Sequence, residues 1–596
     1  MCGLVGLLYK NREGNNIETI GSLMLKTITH RGPDDKGYYF DSEVSLYLGH
    51  ARLKIIDLSE RASQPMKYKN LVMVYNGEIY NFKEIRNDLT KLDHVFYSDG
   101  DAEVLLKGWY EWGADMLDKI RGIFAFAIYN THSKEIFMVR DRLGVKPLYY
   151  INTQKYFGFS SEIKTFFKIP SFSFKLNVGC LPEYLSYRFI QTPDNLVKDV
   201  FSLPPGFYAV YDMRTNGFIK KEYWRIEKKE EFKNISVKDA QEYFKALFAN
   251  IIEEQSISDV PLGVLLSGGI DSALVTLYLR EFYNCSNRHL IAYSVDFHDK
   301  ELSEWQYTSQ VIFKYNIDVY RYIFDDDKIL REAISKSNYY LDEPVSQPHT
   351  PYLLLLSEKI KENLTVILSG EGSDEIFGGY KRYEFFAEDR SFNEVEKFAL
   401  DANRFLGDEA ISEIMRTSIY EIEKVVSEKR KKIIEEYSGF SPMALAQILD
   451  IKTYLVSLLN RLDKTTMAFG VEARVPFLDH RLVEFGINLP TNVKVNLVDD
   501  SRVTKYFLKD MVHKLFGADF AFRRKVGFHV PFREWMRNYL FIKQTVLKED
   551  RDLSLNERWI RREFTKFLEG EQNYQCSDVG WIIYNLKEFL NAFRAI

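Results

Sequence analysis

The sequence predicts two domains of different class: an α+β domain of short strands covered by helices, then an α/β domain on a parallel sheet with a helical C-terminal part. Three observations carry this. The 596 residues, 46% of them hydrophobic, are enough for more than one core. In the first third, apolar runs are short, β-branched or aromatic, and bounded by turn residues. From Val260 onward similar runs alternate with helical stretches, the pattern of strand–helix–strand units. The boundary is expected at 215/216, giving domains 1–215 and 216–596.

Taken in order, strands are expected at Leu71–Tyr75, Ile123–Tyr129 and Glu135–Val139, and helices at Ile17–Thr29 and Asp101–Trp112. The pattern changes near Pro204-Pro205-Gly206, and the charged stretch Lys228–Asn234 reads as a linker. Ser236 then caps a helix, with Asp239 at its third position and a stripe of Ala240, Tyr243, Phe244, Leu247, Phe248, Ile251 and Ile252. Val260–Leu266, Leu290–Val295, Val319–Phe324 and Leu364–Leu368 read as buried parallel strands. Past residue 380 the chain is mainly helical, and Ser441-Pro442 opens one helix with a cap and a proline at the first position.

Composition narrows the function. A net charge of −5, from 80 basic and 85 acidic residues, gives no field suited to nucleic acid or anionic lipid. The basic run Lys429–Lys432 reads as a solvated helix face. Four cysteines at 2, 180, 285 and 576 form no C-x-x-C pair, so neither a zinc site nor a disulfide framework is expected, and a reducing cytoplasm suits them. The N-terminus does not read as a signal peptide. The longest aliphatic run, Leu353–Leu356, is far too short to span a bilayer, so no membrane partner is expected.

The chemistry begins at Cys2. Removal of Met1 would leave a thiol and a free α-amine on one residue. An α-amine ordinarily titrates at about pH 7.7–8.0, so near neutrality it can serve as base for its own sulfur. Further on come Arg31-Gly32-Pro33-Asp34-Asp35, Arg52-Leu53, Asn76-Gly77-Glu78-Ile79-Tyr80-Asn81 and Asp101-Ala102-Glu103. With Cys-Gly-Leu-Val-Gly these motifs resemble the class II glutamine amidotransferases. The resemblance implies an N-terminal nucleophile αββα sandwich. It also implies Cys2 as nucleophile on the glutamine side-chain amide, and the Asn76 side chain and Gly77 N–H as oxyanion donors. Arg52 would fork onto the glutamine carboxylate and Asp101, with Glu78, would hold its ammonium; Leu53, Ile55 and Ile56 complete the implied glutamine pocket. Read alone, Asn76-Gly77 favours a hairpin turn; with Cys2 and Arg52 in register the oxyanion role is favoured, and the two are compatible. Arg31–Asp35 reads as a tight surface turn without direct chemistry.

The strand ending at Leu266 runs into Ser267-Gly268-Gly269-Ile270-Asp271-Ser272 and then a helix, so backbone N–H groups converge at a helix N-terminus, as a polyphosphate requires. No G-x-x-x-x-G-K-[ST] loop lies near it. A second loop, Ser369-Gly370-Glu371-Gly372-Ser373-Asp374-Glu375, follows the strand ending at Leu368, and both loops should face one crevice. The first resembles the pyrophosphate loop of ATP pyrophosphatases. Asn460-Arg461-Leu462-Asp463-Lys464-Thr465-Thr466-Met467 and Gly470-Val471-Glu472-Ala473-Arg474-Val475-Pro476-Phe477-Leu478-Asp479 resemble the asparagine synthetases. That resemblance implies ATP held by Leu266, Ser267, Gly268, Gly269, Asp271, Ser272, Val295, Ser369 and Gly370, and Mg²⁺ on Asp271 and Asp374. Lys464 would lie against the pyrophosphate and Glu371 would assist ammonia. It further implies an apolar passage for ammonia between the domains, with glutamine, ATP and a carboxylate acceptor as substrates and a homodimer as one assembly open to it. Aspartate is the expected acceptor. The segment Asp342–Pro351 lacks the arginine of a Thr-Thr-Ile-Arg-type string, so a sugar uronic acid, a peptide side chain or a natural-product acid stays open, with Lys381 or Arg382 as substitutes for that arginine.

Overall fold

Alternation of inward and outward apolar residues builds the first unit of the computed structural model, which describes residues 2–594 apart from 11–15, 171, 287–288, 346, 389, 499–500, 524–529, 551–552 and 572–573, and apart from the side chains of 284–286 and 574–575. Its strands are β1 (Gly3–Tyr9), β2 (Asp35–Asp41), β3 (Leu46–Arg52), β4 (Met66–Tyr68), β5 (Leu71–Ile79), β6 (Gly122–Asn130), β7 (Glu135–Arg140), β8 (Tyr149–Asn152), β9 (Tyr156–Ser160), β10 (Phe201–Ser202), β11 (Phe207–Asp212) and β12 (Gly217–Glu222). They form two six-stranded antiparallel sheets, ordered β10-β8-β9-β1-β3-β2 and β12-β11-β7-β6-β5-β4.

The period of two decides which side chain faces which layer. Leu4 and Leu8 of β1, Val72 and Val74 of β5, and Ala125, Ala127 and Tyr129 of β6 fill the space between the sheets. Val5 and Leu7 point the other way, onto the helix Ile17–Thr27. Met73, Tyr75, Phe124 and Phe126 point away from the sandwich onto the helices Phe82–Thr90 and Asp101–Trp112. The result is the αββα sandwich. β12 pairs with β11 throughout Gly217–Glu222, which carries the sandwich past the expected boundary at 215.

The second unit opens as read, with the Ser236 side chain accepting from Asp239 N at 3.1 Å to cap the helix Val237–Gln255. Its strands are β13 (Leu262–Leu265), β14 (Ile291–Val295), β15 (Asp318–Tyr322), β16 (Val366–Leu368) and β17 (Glu472–Arg474), all parallel in the order β15-β14-β13-β16-β17. The hydrogen-bonded strands are shorter than the apolar runs because the flanking residues turn into the loops that carry the chemistry. Chain order reverses between β13 and β16, so the loops after these two strands open a crevice at the switch point of the sheet.

The helix Tyr454–Met467 lies where the units meet, and every residue from Leu458 to Met467 is buried. Leu53, Ile55, Tyr80, Ile123, Leu143 and Val145 of the sandwich share one hydrophobic core with Leu262, Leu266 and Leu462 of the second unit. The run Lys429–Lys432 is not a solvated face throughout. Arg430 is fully buried, donates to the carbonyls of Ala399 and Ala402, and lies 3.7 Å from the Tyr187 ring centre. The segment 429–432 belongs to a helix, Ile419–Glu436, that turns one side into the protein, and Arg430 falls on that side.

Candidate active site

Two stations stand on either side of the Tyr454–Met467 helix. At the first, Cys2 leads into β1 and is buried beside the end of β3. Its backbone N–H donates to Asn76 Oδ1 at 2.9 Å. That leaves Asn76 Nδ2 buried without a partner. A carboxamide fixed through its oxygen, with its N–H bonds unspent, suits a charge that appears only during a reaction. Burial pushes the Cys2 thiol up, opposed by the Leu53 N–H and the Arg52 charge.

Asn76-Gly77 is not a hairpin turn. Both residues lie inside β5, paired with Ala125 and Phe124 of β6. A Cβ on Gly77 would stand 2.2 Å from the Ile123 carbonyl oxygen, so only glycine permits this approach of the strands. Asp101, at the first turn of its helix, accepts from the Tyr75 hydroxyl at 2.6 Å and from Ile79 N–H at 2.9 Å. Burial nevertheless raises its carboxyl, and raises that of Glu78 further, where Glu472 and Asp101 add like charge. Glu78 Oε2 has no partner. The Arg474 guanidinium stands 3.8 Å from Glu78 Oε1, and an ammonium group would add a second cation for the two acids.

Arg52 is buried and spends its two Nη groups on the carbonyls of Asp57 and Ser59, at 2.8 Å for the latter. It therefore orders the 57–59 loop and keeps its other N–H bonds for an anion. The Leu53 and Ile55 side chains enter the core shared with the second unit, with Ile56 partly buried at its edge; they line the interdomain contact rather than standing free beside the thiol.

The second station is a cavity of about 370 Å³ at the β13/β16 switch point. Leu266, Ser267, Gly269, Asp271, Ser272, Val295, Ser369, Gly370, Glu371 and Asp374 all line it. Gly268 stands behind it with φ +74°, its carbonyl accepting from Arg523 Nη2 at 2.9 Å. The Ser272 hydroxyl bonds the Gly269 carbonyl at 3.1 Å and accepts from Ser267 N–H at 3.2 Å, which closes the turn. The two loops are tied together by the Ser373 hydroxyl, which donates to Asp271 Oδ1 at 2.8 Å. Glu375 is buried, bonded by the Tyr380 hydroxyl at 2.5 Å, and pushed by burial up to about 8.

Lys464 does not reach this cavity. It is fully buried on the side of its helix that faces the sandwich, donating to the Leu341 carbonyl at 2.7 Å and Asp342 Oδ2 at 2.9 Å. Arg461, one turn earlier, lines the cavity instead, with Nη2 on Glu371 at 2.8 Å, Nη1 against His349, and its Nε–H buried and unpartnered. Lys505 is the cation at the phosphate loops. Its Nζ meets both oxygens of Asp271 at 2.8 Å and Asp374 at 2.7 Å. Sequence reading missed it because no motif joins it to residues so far away in the chain. Lys381 is exposed, Arg382 is bound to Asp450 at 2.6 Å, and neither lines the cavity.

A metal was expected on Asp271 and Asp374. Both carboxylates converge on the Lys505 ammonium, which stands where a shared cation would lie, so the donor set fits a hard cation. Among the described residues no group of three or more acid, His or Cys side chains is arranged for a metal. Two carboxylates with phosphate oxygens and water are the ordinary way to hold Mg²⁺ beside a nucleotide.

A buried N-terminal thiol with amide donors, set against a phosphate crevice of the S-G-G-x-D-S type, defines an amidotransferase that couples glutamine hydrolysis to ATP-driven synthesis. Comparison with known families agrees: residues 1–224 match a glutamine amidotransferase domain and residues 243–587 match asparagine synthase. The chain belongs to the asparagine synthase family, and it is an ATP-dependent carbon–nitrogen ligase that takes its nitrogen from glutamine. It is 29% identical to asparagine synthetase [glutamine-hydrolyzing] 1 of Bacillus subtilis (strain 168), covering 94% of this chain and 92% of that one. Asparagine synthetase [glutamine-hydrolyzing] 3 of the same organism is 28% identical, over 96% and 94%. A solved glutamine phosphoribosylpyrophosphate amidotransferase from B. subtilis aligns with a TM-score of 0.29 at 14% identity, over 54% of this chain and 81% of that one, too slight a likeness to add to the assignment.

Proposed function

We propose that the acceptor is aspartate and that the chain makes asparagine, releasing AMP, pyrophosphate and glutamate. The observation that carries this is Arg461, whose buried, unpartnered Nε–H lies at the cavity wall beside Glu371. An amino-acid acceptor brings a second carboxylate that needs such a guanidinium at the cavity wall. The names of the B. subtilis relatives point the same way.

In this reading the amine of Cys2, once Met1 is removed, takes the thiol proton as sulfur attacks the glutamine amide. Asn76 Nδ2 and Gly77 N–H receive the developing oxyanion. Asp101 and Glu78 hold the ammonium end and Arg52 the carboxylate end. Ammonia leaves, and water later frees the thiol. In the cavity the aspartate side-chain carboxylate attacks the α-phosphate. The 267–270 loop and Lys505 steady the departing pyrophosphate, while Leu266 and Val295 flank the adenosine. Mg²⁺, when bound by Asp271 and Asp374, supplies charge neutralisation along the phosphates. Taking the acceptor carboxylate onto Arg461 loosens that arginine from Glu371, which is then free to accept a proton from the incoming ammonia. The apolar interdomain core around Leu53, Ile55 and Val145 offers ammonia a route that keeps it unprotonated.

The test is pyrophosphate release with ATP and glutamine, presented with aspartate or with uronic acids, in the wild type and in Cys2→Ala and Arg461→Met. We expect release with aspartate alone, Cys2→Ala active only with added ammonia, and Arg461→Met raised at least tenfold in KM for aspartate, the ordinary cost of one charged contact. Release with a uronic acid and none with aspartate would overturn the acceptor.

A further inference from the structure

Arg31, which opens the Arg-Gly-Pro-Asp-Asp motif, is not on a surface turn. It is fully buried, and its guanidinium joins three parts of the molecule. Nε donates to the Cys2 carbonyl at 3.2 Å, Nη1 to Glu162 Oε1 at 3.1 Å, and Nη2 to Asp463 Oδ2 at 2.7 Å. Asp463 belongs to the second unit, on the Tyr454–Met467 helix, and its other oxygen lies 3.5 Å from Lys146 Nζ. The next residue, Lys464, engages Asp342, which also meets Lys164 at 2.8 Å, and Lys164 returns to Glu162 at 2.5 Å. The buried ionic chain thus runs Asp463–Arg31–Glu162–Lys164–Asp342–Lys464, with His30 also on Glu162 at 3.0 Å. The turn bearing Arg31 has no room to drift, because a Cβ on Gly32 would stand 2.2 Å from the Ala51 carbonyl oxygen of β3.

We propose that Asp463 is a positioning residue of the glutaminase, supplied by the synthetase half: through Arg31 it fixes the Cys2 backbone carbonyl, and with it the sulfur, against Asn76. Arg461 lies two residues earlier on the same helix and faces the nucleotide cavity, so a shift of that helix on filling the cavity is felt at Asp463, Arg31 and Cys2. A change of geometry at a nucleophile, rather than of substrate grip, acts on kcat. A buried contact between fixed charges transmits such a shift because both partners are held by packing on every side.

This rests on Cys2 being the glutaminase nucleophile, so that is read separately, by labelling the wild type with an electrophilic glutamine analogue and locating the adduct by mass. Asp463→Asn keeps the shape and removes the charge. We expect its glutaminase kcat to fall about tenfold or more with KM for glutamine little changed. Ammonia-driven pyrophosphate release should stay within about threefold, and the response of glutaminase to added ATP and aspartate should be lost. If losing the Asp463 charge unfolds the protein, Arg31→Met/Asp463→Leu removes both charges together, a change buried pairs tolerate far better, and the same loss is expected. An unchanged glutaminase kcat in a folded variant, or equal losses of both activities, overturns the proposal. If the analogue labels a residue other than Cys2, it is the nucleophile assignment that fails instead.

Discussion

Asn76 shows how a residue earns a role from what it lacks. Its oxygen is spent on Cys2 N–H and its Nδ2 has nothing to bond, in a strand position with no solvent. Asn76→Ala therefore removes a donor that matters only when negative charge develops. We expect a loss of about 10²–10³ in glutaminase kcat, with KM for glutamine nearly kept and ammonia-dependent synthesis intact. A KM effect with unchanged kcat would show that the amide grips the ground state. At this scale the sequence was partly legible. The motifs of Cys2, Asn76 and Asp101 come together at one station, and those of Asp271 and Asp374 line one cavity. The lysine does not: Arg461 and Lys464 are one turn apart and about 60° round the helix, enough to send one into the cavity and the other into the interface. Residue type cannot tell those faces apart. Lys505 reaches its partners through the fold alone.

Among elements, the loop after β16 depends on a brace behind it. Gln447 donates its Nε2 to the carbonyls of Glu375 and Ile376 at 2.9 and 2.8 Å, and its Oε1 accepts from Lys494 Nζ at 2.7 Å. Lys494 is fully buried and its hydrogen-bond acceptors are uncharged: Gln447 and the carbonyls of Gly486 and Ile487, at 3.1 and 3.2 Å. Burial drives its ammonium down to about 7. The unfolded chain holds that proton up to about pH 10.4. Between these values the unfolded state binds the extra proton, so stability rises with pH across the window, and the cost is fully present below pH 7. Lys494→Met should lose this slope. Urea unfolding from pH 7 to 10 should show the wild type gaining about 1.4 kcal/mol per pH unit relative to the variant. Parallel profiles would mean that Lys494 keeps its proton when folded. The strands expected at 71–75, 123–129 and 135–139, four of the parallel sheet, and the Ser236 and Ser441 caps were legible because they depend on local periodicity and short-range hydrogen bonds; β17 and the other sandwich strands were not read. Continuation of β5 through Asn76-Gly77 was not, since the turn preference of that dipeptide yields only to pairing with β6, a contact distant in sequence.

For the whole molecule, the question is whether two units with separate chemistries are separate in stability. The sandwich alone would expose Leu53, Ile55, Tyr80, Ile123, Leu143 and Val145, each at most 5% accessible in the full chain. At about 1.5–3 kcal/mol for each buried apolar side chain, the shared core is worth on the order of 10 kcal/mol. That equals the net stability of a typical domain, about 5–15 kcal/mol. Arg31 would also lose Asp463, and Lys164 would lose Asp342. The polar contacts across the joint, such as Tyr149 hydroxyl to Asn460 Oδ1 at 3.1 Å, are fixed by the same seating. The units should therefore unfold together. Calorimetry of the full chain is expected to give one transition, with the calorimetric and van't Hoff enthalpies nearly equal. A chain ending at residue 224, the limit of the amidotransferase match, should melt far lower or aggregate. Two resolved transitions, or a fragment as stable as the parent, would mean that the shared core contributes little. The ionic path from Asp463 to Cys2 would then join bodies free to part.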